Sequence, residues 1–480
     1  MSRHLIPLLL GVSLAGLACR GAPPEKKTPA ARAPAAAQAP ARQDPAADGP
    51  STDAPAKGGG ALPFVLMIVM DTVRADHLSM CGYDRPTSPY LETLSKRSRV
   101  AFSCEAHSPG PWTVPSHASY FTGLTVPEHG SDTMGIQFSS TIPTIGEIME
   151  KRGYQSVLFS ANPTLSANSG LQRGFSIIDV ARTLTDVRGD EVRHRLRRLL
   201  NEVDGDKPMF LVVNLIDAHD PYPRVPPDIG WVPQQDTMVY DVHDRERDTP
   251  YHQYFRGELT AEEEARYQER ARNGYDYGVS LADQNVEATL RVLRQDGWLT
   301  HGFRMVITAD HGEYLGEHHL LRHGSFLWEP VTRVPFLYFD SAAEAPITLP
   351  TPFSSLNAFS LLTEGRLPST PIPVASYANE REYDIKKGAD VVALWSSPTD
   401  KILWQTDRYF RVDLAADPAE RQELDLPAGY PMRADLERMV AAHRAHLDEM
   451  RSKAVNPALR DELRALGYIE SPEPGAQAAP

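Results

Sequence analysis

The segment Phe64-Val65-Leu66-Met67-Ile68-Val69-Met70 runs without a polar residue between Pro63 and Asp71. A strand with one wet face alternates apolar and polar side chains. A run without alternation must be covered on both faces, as in the parallel sheet of an α/β protein. Similar runs recur at Ser156–Ser160, Met209–Leu215 and Met305–Thr308. Helical segments are expected between them at Thr144–Arg152, Glu191–Val203 and Ala261–Gln295, the last broken near Gly274 or Gly278. This alternation predicts an α/β fold with a large, mostly parallel, doubly wound sheet flanked by helices. Polar residues also gather just past three of the strands: Asp71, then Asp217 and His219, then Asp310 and His311. Open parallel sheets bind ligands at that edge, so chain order alone directs three polar clusters to one candidate site.

Past Pro335 the pattern changes. Val391–Trp395 and Lys401–Gln405 read as short strands of a smaller C-terminal sheet, closed by an amphipathic helix over Arg433–Met450. The expected organisation is a main catalytic domain at 62–345, a C-terminal subdomain of the same body at 346–470, and a disordered tail at 471–480. Upstream, residues 1–19 read as an export signal. Its apolar run, Leu5–Ala18, is shorter than the ~20 residues of a membrane span, so the mature chain is expected to have no transmembrane segment. Gly16-Leu17-Ala18-Cys19 resembles a bacterial lipoprotein processing site, which implies a lipid on Cys19 and an outer-membrane address; an ordinary secretory signal is the alternative. Residues 20–61 are Ala, Pro and charged residues with nothing bulky to bury, a composition suited to a disordered tether.

Lys and Arg total 49 against 63 Asp and Glu, a formal net charge of −14. That balance argues against a nucleic-acid binder, which needs a basic footprint. It leaves an anionic substrate open, because a bound cation inverts the local field. Cys81 and Cys104 are the cysteines left in the body, and they could pair in an oxidising compartment, although nothing in the sequence fixes their distance.

Asp310-His311-Gly312 follows an apolar strand directly, offering an oxygen and a nitrogen ligand on a tight turn where glycine allows close backbone approach. Carboxylate with imidazole suits Zn or Mn, whereas oxygen-rich sites suit Ca or Mg. Asp71 and Thr113 would complete a four-group metal sphere; taken alone, each could equally be a helix cap. Jointly the motifs carry a resemblance. The segments DTVRADHL with GYDRPTSP, WTVPSHASYFTG, LIDAHDPY, TADHGEYLGEH with RHGSFLWE and TRVPFLYF, and YFRVDLAADPAERQEL resemble the sulfatase family of the alkaline-phosphatase-like superfamily, from Phe64 to about Leu424. The resemblance implies a metal held by Asp71, Asp310 and His311, with Thr113 at the nucleophile position.

Two departures stand out. Sulfatases proper carry Cys or Ser in a Cys/Ser-x-Pro-Ser-Arg motif that matures to formylglycine; here the stretch is Thr113-Val114-Pro115-Ser116-His117. The β-methyl of threonine prevents oxidation to that aldehyde, so no formylglycine is expected and the substrate shifts toward phosphorus. Thr72 stands where many sulfatases have another metal-binding aspartate, which implies a smaller coordination sphere. The expected reaction is attack by Thr113 on an anionic ester drawn from a lipid or glycan, giving a phosphothreonine that water hydrolyses. His219 and His323 are the candidate acids for the leaving alcohol, with His318 and His319 as competitors for the second role. His117 could donate to a phosphoryl oxygen when charged. Asp217 could hold a second metal with a histidine. Arg74 could face the substrate or pair with Asp76. The competing functions are a sulfuric ester hydrolase without formylglycine, a phosphoryl-headgroup transferase, and a surface module that keeps its metal without catalysis.

Overall fold

The computed structural model describes residues 57–58, 62–131, 138–231, 250–378, 389–452 and 456–466, together with the short strands 382–383 and 386–387. The export signal, Cys19, the tether apart from 57–58, and the tail at 471–480 lie outside the described residues. Among the described residues no helix is long and apolar enough to cross a membrane.

The main sheet has eight strands. In chain order they are β1 (Phe64–Met70), β2 (Val100–His107), β3 (Gln155–Ser160), β4 (Ile177–Val180), β5 (Met209–Leu215), β6 (Phe303–Thr308), β7 (Arg333–Asp340) and β8 (Phe353–Ser354). Across the sheet they run β8-β2-β7-β6-β1-β5-β3-β4. Only β7 opposes its neighbours. Every residue of β1 is buried, as its unbroken apolar run requires. The principal helices are α1 (Pro89–Ser95), α2 (Thr113–Thr122), α3 (Ile145–Lys151), α4 (Asp190–Leu200), α5 (Ala261–Gln295), α6 (Ala358–Glu364), α7 (Arg433–Ser452) and α8 (Pro457–Ala465). The α/β class and the parallel sheet are as expected, but the sheet has twice the strands read from the sequence. The expected break in α5 is absent: it runs 35 residues uninterrupted. Its glycines serve packing instead. A β-carbon at Gly278 would lie 2.4 Å from the Asp217 carbonyl oxygen, and one at Gly274 would lie 2.9 Å from Tyr222 Cβ.

A second sheet, antiparallel throughout, contains β9 (Ala375–Ala378), β10 (Val391–Ser397), β11 (Asp400–Gln405), β12 (Arg408–Asp413) and β13 (Leu424–Asp425). Here the two-residue period reappears. Val391, Ala393, Trp395 and Leu403 pack on Tyr314, Leu327, Trp328 and Val331, whereas Val392, Leu394, Ile402 and Trp404 pack on Leu436 and Val440 of α7. The large sheet still gains β8 past residue 345, and the smaller sheet begins at Ala375. The last helix, α8, returns to the main body. Leu459 and Leu463 join its core, and Glu462 accepts hydrogen bonds from Ser166 and Asn168 at 2.8 and 2.9 Å.

Cys81 and Cys104, whose pairing the sequence left open, form a disulfide with a Cα–Cα distance of 5.8 Å.

Candidate active site

Strand register sets the site. Val69 of β1 is flanked by Asn214 of β5 and Thr308 of β6, so Asp71 and Asp310, each two residues further on, emerge at the same level of one edge. The β2 strand ends at that edge and leads into α2, whose first helical residue is Thr113. A helix N-terminus carries a partial positive charge, which favours an anion at that hydroxyl. Asp71, Thr113, Asp310 and His311 are all buried. One ligand atom each from Asp71, Asp310 and His311 lies within 4.8 Å of the others, as a metal ion would require.

The hydrogen bonds fix which atoms face inward. His311 Nδ1 donates to the Gly312 carbonyl at 3.0 Å, which leaves Nε2 as the lone-pair nitrogen. That Nε2 lies 3.4 Å from Asp310 Oδ2, 3.7 Å from Asp71 Oδ1 and 3.4 Å from Thr113 Oγ1. Asp310 Oδ1 accepts from the backbone N–H groups of Thr72 and His311 at 3.3 and 3.0 Å. Asp71 Oδ2 accepts from Asn162 at 2.7 Å and Asn214 at 3.3 Å. The remaining oxygens, Asp71 Oδ1 and Asp310 Oδ2, have no hydrogen-bond partner. Burial, followed by repulsion from Asp310, pushes Asp71 up to about 7; burial pushes Asp310 up to about 7 as well. Two buried carboxylates with partnerless oxygens beside an imidazole lone pair make a donor set that fits a divalent cation.

The turn itself is tight. Gly312 donates to Val331 O at 2.8 Å, and a β-carbon there would stand 2.1 Å from Pro330 O, so the close approach expected of this glycine is present. Thr72, at φ 62, adopts a left-handed conformation rare for a β-branched residue. It is held by the Tyr275 hydroxyl, which donates to its carbonyl at 2.7 Å, and by its own N–H to Asp310.

Of the histidines, His219 and His323 come to the site: the His323 ring centroid lies 4.4 Å from that of His311 and 5.0 Å from that of His219. His323 Nδ1 is 3.0 Å from Glu313 Oε1, and burial drives the Glu313 carboxyl well above the usual range. His318 and His319 instead stack on Trp328 and Tyr254, with centroids 4.5 and 4.3 Å away.

Two sequence readings need correction, those of His117 and Asp217, and a third, left open for Arg74, is decided. His117 is not a charged donor. Burial lowers it to about 3, and its Nδ1 donates to the Thr113 carbonyl one helical turn back, at 2.9 Å. Of the two roles open to Arg74, pairing with Asp76 is the one the structure shows, through a two-pronged contact at 2.9 and 2.8 Å, with a third bond to Glu317 at 2.7 Å. Asp217 has both oxygens engaged, by Gly189 N–H at 3.1 Å and Asn285 at 2.8 Å, and does not belong to the metal cluster.

Sequence reasoning missed Asn162, Asn214, Glu313 and Arg188. Arg188 donates to the carbonyls of His219 and Pro221 at 2.9 and 2.5 Å and so anchors the loop that carries His219. Asn162 follows β3 at the same edge as Asp71, and the strand-end rule would have found it.

A buried acid–imidazole cluster beside a hydroxyl, at the C-terminal rim of a parallel sheet, suits the metal-assisted hydrolysis of ester bonds. The Sulfatase family model matches residues 63–362, and the chain belongs to that family of ester hydrolases. Among solved structures, the fold is similar to the phosphonate monoester hydrolase of Agrobacterium radiobacter (TM-score 0.57, 15% identity, covering 80% of this chain and 96% of that one). It is also similar to the phosphonate monoester hydrolase SpPMH of Silicibacter pomeroyi (0.57, 16%, 82% and 96%). A third similar structure is BT4656 in complex with its substrate D-glucosamine-2-N,6-O-disulfate (0.56, 14%, 83% and 100%). At these identities the likeness is one of fold. No curated protein matches the sequence.

Proposed function

We propose that this enzyme hydrolyses phosphate mono- or diesters through a covalent intermediate on Thr113. The observation that carries the reading is the position of Thr113 Oγ1, 3.4 Å from His311 Nε2 and 3.2 Å from Asn162 Nδ2 in the same buried cluster. Asp310 Oδ2, which has no hydrogen-bond partner and lies 3.4 Å from the same His311 Nε2, is the acceptor for the departing proton. A divalent cation there, Zn or Mn by the mixed carboxylate–imidazole chemistry, would supply charge to lower the hydroxyl pKa and polarise the ester oxygen. Asp71, Asp310, His311 and Thr113 would hold it.

In the reaction Thr113 Oγ1 bonds to phosphorus as the bond to the leaving oxygen breaks, and the leaving oxygen takes a proton from a histidine. His323 fits this role because Glu313 holds its ring in one orientation; His219 is the neighbouring alternative. Water then attacks the phosphothreonine and restores the hydroxyl. Threonine cannot become formylglycine, which favours phosphorus over sulfur, although direct attack on a sulfate ester uses the same groups. We propose further that the enzyme is exported and lipid-anchored through Cys19; the Cys81–Cys104 disulfide supports the export alone, since disulfides persist in oxidising compartments.

The test uses the purified chain, its metal content, and turnover of an aryl phosphate, a phosphodiester and an aryl sulfate beside Thr113→Ala. Expected are one bound divalent ion, preference for a phosphoester, and no turnover by the variant. Wild-type turnover by Thr113→Ala would end the covalent reading, and preference for sulfate would reverse the substrate assignment.

A further inference from the structure

We infer that Asn162 is a catalytic residue of this site, whose amide holds the Thr113 oxygen against Asp71 and stabilises negative charge on it as attack begins. The inference rests on the reading of Thr113 as nucleophile.

The amide is fully buried and has its two ends assigned. Oδ1 accepts from the Thr164 N–H at 2.9 Å and from the Thr164 hydroxyl at 2.8 Å. Turning the amide over would set its NH₂ against the Thr164 N–H and its oxygen against the Asp71 carboxylate, so Nδ2 must face Asp71. There it has two acceptors, Asp71 Oδ2 at 2.7 Å and Thr113 Oγ1 at 3.2 Å. The hydroxyl accordingly accepts from Asn162 and turns its own proton to the other side, where the His311 Nε2 lone pair lies 3.4 Å away. As that proton leaves, the Asn162 N–H remains aimed at the oxygen where charge appears. A fixed donor in a water-excluded site is worth far more than in water, and removing one typically costs 10²–10³ in rate.

The support of Asn162 is separate from its work. Its backbone N–H and carbonyl both bond to the Ser160 hydroxyl, at 3.1 and 2.8 Å. The following loop is clasped by Glu462 of α8 through Ser166 and Asn168. Shortening the side chain therefore leaves the loop its own anchors. A purely structural amide would only be satisfying Asp71, and its loss would weaken metal binding without slowing the saturated enzyme.

The experiment compares wild type, Asn162→Ala, Thr164→Val and Thr113→Ala, each as the full chain with saturating metal and aryl phosphate. Metal affinity is read by calorimetry and folding by thermal melts. Asn162→Ala is expected to lower kcat by about 10²-fold with KM and metal affinity little changed. Thr164→Val, which deletes one of the two bonds that orient the amide, should fall between Asn162→Ala and wild type. Full kcat in Asn162→Ala at saturating metal, with Thr113→Ala inactive, overturns the role of Asn162 and leaves the nucleophile standing. Wild-type turnover by Thr113→Ala removes the nucleophile reading and this inference with it.

Discussion

Two regions of this protein bury carboxylates in pairs, and they complete them differently. Under the C-terminal sheet, Glu329 and Glu420 surround Lys401, whose ammonium donates to Glu420 Oε1 at 2.7 Å and to Leu327 O at 2.5 Å. Trp395 donates to Glu329 Oε1 at 2.8 Å, His107 Nε2 lies 3.2 Å from Oε2, and the Glu329 N–H bonds to Glu420 Oε2 at 2.5 Å. Burial alone would raise Glu329, but His107 and Lys401 hold it well below the usual range. At the sheet edge, Asp71 and Asp310 are more deeply buried than Glu329, yet no lysine pairs with them among the described residues, and each keeps an oxygen without a hydrogen-bond partner. The fold supplies its own cation to one cluster and leaves the other open to an external ion. Buried acids alone do not mark a site; the missing counter-charge does.

Lys401→Met should break the first cluster most severely. Stranding two buried carboxylates costs about 3–5 kcal/mol, read as a lower denaturant midpoint, while metal affinity at Asp71 and Asp310 stays near wild type. The second cluster should respond to metal instead. Zinc or manganese at 100-fold its dissociation constant should stabilise the metal-free protein by about 2.7 kcal/mol, with no such gain after Asp310→Ala. An equal gain in that variant would show the ion binding elsewhere.

The pH dependence follows the same division. Asp71 and Asp310 titrate near 7 in the folded chain against an ordinary 3.8, so between those values the folded state keeps protons that the unfolded state has lost. Metal-free stability should therefore fall as pH rises from about 4 to about 7, then level off. Melting curves at fixed ionic strength read this directly, and a rise over that interval would contradict it. Asp71→Asn should flatten the slope and abolish the metal response. The smallest effect belongs to His117: held neutral to about 3, it should contribute no ionisation to the rate profile between pH 5 and 8, and His117→Gln should leave the apparent pKa values of that profile unmoved.

Much of the site was legible because parallel strands advertise their ends. Phe64–Met70 could only be a central strand, and its C-terminus delivered Asp71; Met305–Thr308 did the same for Asp310 and His311. Thr113 came from motif resemblance, since a threonine at a helix start has no chemical signature of its own. The β2 strand was missed because Val100–His107 mixes exposed Phe102 with polar Ser103 and Glu105, and β4 because it is only four residues long at the sheet edge. The α5 glycines misled because composition does not distinguish a helix breaker from a close contact. Asn162, two residues past β3, lay within reach of the strand-end rule, but only its distance from Thr113 tells it apart from other loop amides.

The return of α8 to the main body matters for anyone dissecting this enzyme. The family-matched region stops at residue 362, yet the bracket on the loop that begins with Asn162 comes from residue 462. A fragment cut at the end of the matched region would retain the nucleophile and every proposed ligand but lose that bracket. Poor turnover in such a fragment would indict the cut rather than the chemistry, so expression boundaries belong after Leu466.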